Sequence, residues 1–354
     1  MLGGEGERGM GTMVKRGDQA FTTVIVVNWN AKGLLEKCLA SLVSQLEQPD
    51  EVLVVDNGST DGSTDLVRRR YPRVQMLALA DNVGFARANN LGIQSARGDY
   101  IALLNNDAEA DPSWLGEMIA VLRANQGVGF CASKMLLWGQ PSVADACGDF
   151  YTAEGVAGKI GHMLPAQSYD RPRQVFGASA GAAMYRREML DDIGLFDEDF
   201  FMVHEDTDLS FRAQLGGYKC LYVPTATVYH RLSATIGRES DIHTYYGKRN
   251  IEFVYLKNMP TPLLLKFWAL HVATELLLGA ILMKRGKGRP YLIAKRDALR
   301  MMPRMLEKRK AIQRAARASP KEIDRILEKG WLTNALRRRL RGGVGGTGTP
   351  ASQP

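Results

Sequence analysis

Acids and amides recur at comparable points along the chain. Asn28 follows the apolar run 22–27, Asp56 closes 51–55, Asn82 follows 74–79, and Asp107 with Glu109 follows 100–104. A second polar concentration spans 196–218, where Glu205, Asp206 and Asp208 stand close to Phe200, Phe201 and Met202. Two residues apart in an extended segment, Asp107 and Glu109 project to one side and can face one divalent cation or one nucleotide. Carboxylates crowded against apolar surface raise one another's pKa and can supply a general base. His230 ends the run V-P-T-A-T-V-Y-H, where a further metal ligand could come from. Each group also has a plainer use. Asn, Asp and Gly make turns and caps, D-x-E is common on solvated surface, and acids in a helix's first turn offset its dipole.

The elements that carry these residues give the pattern its meaning. Residues 22–27 (T-T-V-I-V-V) are β-branched and continuously apolar, as in a strand covered on both faces. Leu34, Leu35, Cys38, Leu39, Leu42 and Val43 recur at helical spacing. Strands at 51–55, 74–79 and 100–104 alternate with helices after Ser63 and around 89–96. Short strands at 219–223 and 226–229 flank Pro224. This alternation predicts an α/β fold with a doubly wound, mostly parallel sheet, which binds ligands at the carboxyl ends of its strands. Four consecutive strands deliver polar residues to that one rim, enough for a nucleotide-sized crevice. The segment after the first strand reads N-W-N-A-K-G-L-L, with neither G-x-G-x-x-G nor a P-loop. Dinucleotide-dependent hydride transfer and glycine-loop phosphate binding are thereby disfavoured. A diphosphate held without such loops calls for a divalent metal on acidic side chains.

The chain has 354 residues and a net charge of +8. Residues 284–341 hold 20 Lys and Arg against 5 Asp and Glu, a local +15 that leaves −7 for the remainder. A basic tail on an acidic body argues against a nucleic-acid partner, and no interleaved aromatic platform supports one. Four separated cysteines, without C-x-x-C, suit a reducing compartment. Residues 1–20 are expected to form a flexible tail without a secretory signal, and 342–354 another. Residues 262–283 are apolar, but Lys266, His271 and Glu275 interrupt them, so an interfacial helix is expected rather than a span. With the basic residues that follow, region 259–341 suits an anionic membrane surface.

The segments V-I-V-V-N-W-N, V-V-D-N-G-S-T-D-G-S, N-V-G-F-A-R-A-N-N-L-G-I, G-D-Y-I-A-L-L-N-N-D, I-G-L-F-D-E-D-F-F, H-E-D-T-D-L-S-F-R and V-P-T-A-T-V-Y-H together resemble the family 2 glycosyltransferases. The similarity is greatest to the bacterial branch containing rhamnosyltransferases, and it covers roughly residues 21–259. It implies a GT-A domain over 21–258 and an inverting transfer from an NDP-sugar (dTDP- or UDP-) to a glycan or lipid-linked acceptor. It also implies Mg²⁺ or Mn²⁺, and a cytoplasmic enzyme peripheral to the cell membrane. Carried over by motif, Asp56 resembles the base-contacting aspartate, with Asn28 lining the same pocket. Asp107 and Glu109 occupy the D-x-D position, Glu109 departing from the second Asp. Asp206 matches the general base of the E-D pair, Glu205 its neighbour, and His230 the histidine that completes some metal sites. Asn82 and Arg87 are further donor-binding candidates, Arg87 serving the diphosphate or pairing with an acid. Two alternatives share the sheet: an NDP-sugar-binding module without transfer activity, and a metal-dependent nucleotidyltransferase.

Overall fold

The computed structural model describes residues 20–231 and 240–330. The expected tails, apart from Ala20, and the basic run 337–341 lie outside the described residues. Strands β1 (Thr22–Asn28), β2 (Glu51–Asp56), β3 (Gln75–Ala78) and β4 (Tyr100–Leu104) pair in parallel in the order β4-β1-β2-β3. Val24, Ile25 and Val26 are wholly buried, as β-branched side chains covered on both faces must be. Helix α1 (Lys32–Val43) packs Leu35, Cys38, Leu39 and Leu42 on one face of the sheet. Helix α2 (Ser63–Arg70) lies on the same side through Val67, and α3 (Phe85–Ser95) covers the other face through Ala86 and Ile93. β3 is a short, half-exposed edge strand, which limits edge-to-edge pairing.

The second half makes the sheet mixed. After β5 (Ala108–Ala110) and α4 (Trp114–Ala124) come β6 (Val128–Leu137) and β7 (Gln140–Ala146). A hairpin of β8 (Asp149–Tyr151) and β9 (Ala157–Lys159) follows, then β10 (Leu164–Pro165), β11 (Arg173–Val175) and β12 (Ala182–Arg186). β12 inserts antiparallel between β4 and β6. Helices α5 (Arg187–Ile193) and α6 (Glu205–Leu215) lead to β13 (Lys219–His230). The two strands expected around Pro224 are one element, with a register break between Val223 and Thr227. A bulge there absorbs the proline, which has no N–H for the ladder.

Four helices complete the described chain: α7 (Asp241–Asn258), α8 (Thr261–Lys284), α9 (Gly288–Ala315) and α10 (Pro320–Ile326). The boundary expected at residue 259 falls between α7 and α8. Yet α7 packs along α9, and Phe253, Val254 and Met259 share a core cluster with Ala298 and Met305. The helical layer therefore begins with α7. All four cysteines are buried and outside any disulfide.

Candidate active site

A cavity of about 440 Å³ opens at the carboxyl ends of the parallel strands. Its first wall comes from the loops after β1, β2 and β3. Asn28 is a buried hub: its Nδ2 donates to Asp56 Oδ1 (3.2 Å) and Ser59 Oγ (3.2 Å), and its Oδ1 accepts from Asn106 Nδ2 (2.9 Å). Asp56 Oδ2 accepts the Ser59 backbone N–H at 3.0 Å. Both residues stand at the rim as expected, but they brace the loops, while Val27, Trp29, Asn57 and Asn82 face the cavity. Asn82 Oδ1 accepts from Asn57 Nδ2 (3.0 Å) and from the Gly84 N–H (2.9 Å). Gly84 has φ +88, and a Cβ there would stand 2.5 Å from the Phe201 ring, so N-V-G-F admits no larger residue. Arg87 does not line the cavity; its guanidinium lies 3.8 Å from Glu198 on the surface.

The second wall holds the metal candidates. Asp107 Oδ1 and His230 Nε2 are 3.2 Å apart, and His230 Nδ1 is 2.9 Å from Asp145 Oδ2. Asp145 also takes Lys159 Nζ at 2.8 Å and lies 3.2 Å from His162 Nδ1. Burial pushes the Asp145 carboxyl up, but Lys159, His162 and His230 outweigh it and hold it far below the usual range. Burial likewise pulls His230 down, and the hydrogen bonds to Asp107 and Asp145 raise it.

Glu109 stands apart from this pair. Its Oε1 accepts from Arg231 Nη2 at 2.9 Å, and that guanidinium stacks on Trp138 at 3.4 Å. β5 pairs antiparallel with β13, so His230 stands opposite Ala108 while Glu109 stands opposite Tyr229. Neighbours along a strand point to opposite faces, so Glu109 and His230 diverge. Of Asp107, Glu109 and His230, the structure thus brings Asp107 and His230 together and holds Glu109 apart. Among the described residues no three metal-ligating side chains converge. One carboxylate and one imidazole, with the second imidazole nitrogen held by a carboxylate, still suit a divalent ion that keeps positions open for substrate oxygens.

The third wall is the segment leading into α6. Phe201 (φ 63), Val203 (φ 68) and His204 (φ 69) all occupy the left-handed region, a strained choice for a β-branched valine. Asn250 of α7 holds them: its Nδ2 lies 2.9, 2.8 and 2.8 Å from the carbonyl oxygens of Phe200, Met202 and Val203. Arg249 adds a hydrogen bond to the Asp199 carbonyl at 2.7 Å. The three acids of α6 then separate. Asp208 is buried against Arg212 (3.0 Å) and Lys257 (2.9 Å), and it anchors the helix. Glu205 and Asp206 line the cavity. Burial raises both carboxyls, Glu205 further because of Asp206, whereas the N–H groups of Ala180 (3.2 Å) and Thr207 (2.7 Å) steady Asp206 as an anion. Asp149, which the sequence did not single out, also lines the cavity, and burial and the Asp206 charge push it up to about 8. Asp149 is thus pushed toward its protonated form, and Asp206 is the acid whose charged form two N–H groups stabilise.

A nucleotide-sized cavity at a parallel-strand rim, walled by acids from a mixed second half, defines a transferase of the GT-A class. Solved structures agree on the fold. "Mannosyltransferase PcManGT from Pyrobaculum calidifontis in complex with GDP-Man and Mn2+" aligns over 91% of this chain and 81% of that one, with TM-score 0.51 and 19% identity. "GalNAc-T7 with UDP, GalNAc and Mn2+" covers 68% of this chain and 51% of that one, with TM-score 0.53 and 15% identity. Residues 23–194, just under half of the chain, match the model of glycosyl transferase family 2, and the match together with the relatives below supports a glycosyltransferase. The chain is 29% identical over 252 residues to N-acetylglucosaminyl-diphospho-decaprenol L-rhamnosyltransferase of Mycobacterium tuberculosis, covering 62% of this chain and 79% of the relative. It is also 29% identical over 224 residues to the O-antigen biosynthesis protein RfbC of Myxococcus xanthus, covering 60% of this chain and 17% of that protein.

Proposed function

We propose that the chain moves a sugar, rhamnose in the first instance, from a dTDP- or UDP-sugar to a hydroxyl of a glycan or lipid-linked acceptor in cell-surface polysaccharide synthesis, with inversion. The observation that carries this reading is the placement of Asp206 on the same cavity as the Asp107–His230 pair. Inversion is one in-line displacement: Asp206 takes the acceptor hydroxyl proton as the oxygen attacks the anomeric carbon and the NDP leaves from the opposite side. Asp107 and His230 would hold Mg²⁺ or Mn²⁺, which when bound neutralises charge on the departing diphosphate. Asn57 and Asn82 present amides to the donor, and Asn28 and Asp56 keep that wall in register. The relatives' names, a diphospho-decaprenol rhamnosyltransferase and an O-antigen biosynthesis protein, support a lipid-linked or surface-glycan acceptor, which this reading places at an anionic membrane surface on the cytoplasmic side. The test is a panel of NDP-sugars assayed for divalent-cation-dependent NDP release. Release from a dTDP- or UDP-sugar supports transfer, binding without release favours the inactive module, and diphosphate release from a nucleoside triphosphate favours a nucleotidyltransferase.

Asn250 lies beyond residues 23–194 yet holds the segment that delivers Asp206. Asn250→Ala is expected to lower kcat about tenfold with donor KM near wild type, because a small misplacement of the base costs rate more than binding. Asn250→Asp is expected to be worse, since it turns a carboxylate toward three carbonyl oxygens. Wild-type kcat in either variant would show that the strained segment needs no such clamp.

A further inference from the structure

Helix α8 is inverted relative to a helix of a water-soluble domain. Its buried residues include His271, Thr274 and Glu275, while its exposed large side chains are Leu265, Trp268, Val272, Leu276 and Met283. From Leu265 to Met283 the other exposed positions are Ala269, Ala273 and one charge, Lys266 near the start. An amphipathic helix in water buries its apolar face, so this face is built for an apolar neighbour.

We propose that α8 lies along an anionic lipid bilayer with the Leu265–Trp268–Val272–Leu276–Met283 face immersed at the headgroup boundary. By length and composition α8 could cross a membrane, but its other face is committed to the protein. His271 Nε2 is 3.0 Å from Glu252 Oε2, and its Nδ1 is 2.8 Å from the Glu154 carbonyl oxygen. Glu275 takes Lys295 at 2.7 Å and Lys248 at 3.3 Å. A helix tied on one side to an ion network lies on the surface of a bilayer and does not span it. Charge selects lipid over a protein partner. Exposed Lys284, Arg285 and Arg289 close the apolar face, whereas on α9 Arg296 and Arg300 pair with Asp297, Arg304 with Asp199 and Lys310 with Glu307. Clustered cations beside an apolar stripe with an interfacial tryptophan complement anionic headgroups.

The docking helix is also close to the chemistry. Glu154, which His271 touches, sits between β8 and β9, and the two arms of that hairpin supply Asp149 and Lys159 to the cavity. This places the lipid surface one hairpin from the cavity, and its use by a lipid-linked acceptor rests on the proposed function. The docking itself does not.

Co-sedimentation with phosphatidylglycerol–phosphatidylcholine vesicles, without donor or acceptor, tests the docking, so its failure leaves the transfer reading untouched. Leu265→Glu combined with Leu276→Glu is expected to lower vesicle partitioning about tenfold or more, with NDP release on a water-soluble acceptor unchanged. In the wild-type protein, brominated lipid is expected to quench the fluorescence that Trp268→Phe removes. Equal partitioning of wild type and double variant, or no quenching of Trp268, overturns the proposal. So does a wild-type dimer that the double variant dissociates while vesicle binding persists, because the face then covers a second copy.

Discussion

Asp206→Asn is expected to leave donor affinity near wild type and to cut kcat about 10²-fold or more, the range over which general-base catalysis operates. The substitution keeps the side chain's shape, but its single amide oxygen can accept only one of the two backbone N–H bonds that the carboxylate takes from Ala180 and Thr207, so thermal unfolding measured beside kcat separates loss of the proton acceptor from loss of the fold. The neighbouring acids do not replace it. Burial is the largest cause raising both Asp149 and Glu205, and it persists when the Asp206 charge is removed. The pH profile gives the sign. Only ionised Asp206 accepts a proton, and burial raises its pKa. Wild-type kcat/KM therefore falls as pH drops through a midpoint above the usual aspartate range, and that acid limb disappears in Asp206→Asn. Steady-state kinetics with tight control of donor binding checks both. Near-wild-type turnover would remove Asp206 as the base.

What the sequence made legible follows from which signals are local. Strands 22–27, 51–55 and 100–104 announce themselves because a doubly covered strand must be continuously apolar, and the rim residues Asn28, Asp56, Asn82 and Asp107 come with them. Asp206 was legible from its crowding and its motif. Where Glu109 faces was not legible, because it depends on pairing with β13, more than a hundred residues away, and register is not a local property. Asp145, Asp149 and Lys159 were missed for a related reason. They sit in short strands and turns between β7 and β9 with no periodicity, and only tertiary folding brings them to His230 and Asp206. Asn250 was hidden inside α7, where its neighbours Arg249 and Ile251 read as ordinary helix. The inverted face of α8 needed the structure too. Its composition shows in sequence, but which side is buried depends on Glu252, Lys248 and Lys295 from α7 and α9.

Removing divalent cations with excess chelator is expected to bring transfer to background, and Mn²⁺ or Mg²⁺ to restore it. Asp107, Asp149, Glu205 and Asp206 line the cavity, and Lys159 is the only Lys or Arg among the described lining residues. Lys159 is also already engaged with Asp145 at 2.8 Å. Burial pushes Asp149 and Glu205 toward their protonated forms, so a nucleoside diphosphate entering this site meets chiefly Asp107 and Asp206 in a partly buried setting, where repulsion is weakly screened. A cation at Asp107 and His230 reverses that balance, and among the described residues none from α8, α9 or α10 lines the cavity to substitute for it. The two-residue protein ligand set sharpens the expectation. With Glu109 turned to Arg231, affinity depends heavily on the orientation of His230, which Asp145 fixes through Nδ1. Asp145→Asn is therefore expected to raise the metal concentration for half-maximal activity about 10–100-fold, the usual cost of losing a carboxylate behind a ligating histidine. Glu109→Gln is expected to change it far less. Titration of activity with Mn²⁺ in the three proteins separates the cases. Full activity in excess chelator would end the metal assignment, and a Glu109→Gln effect as large as that of Asp145→Asn would return Glu109 to the ligand set.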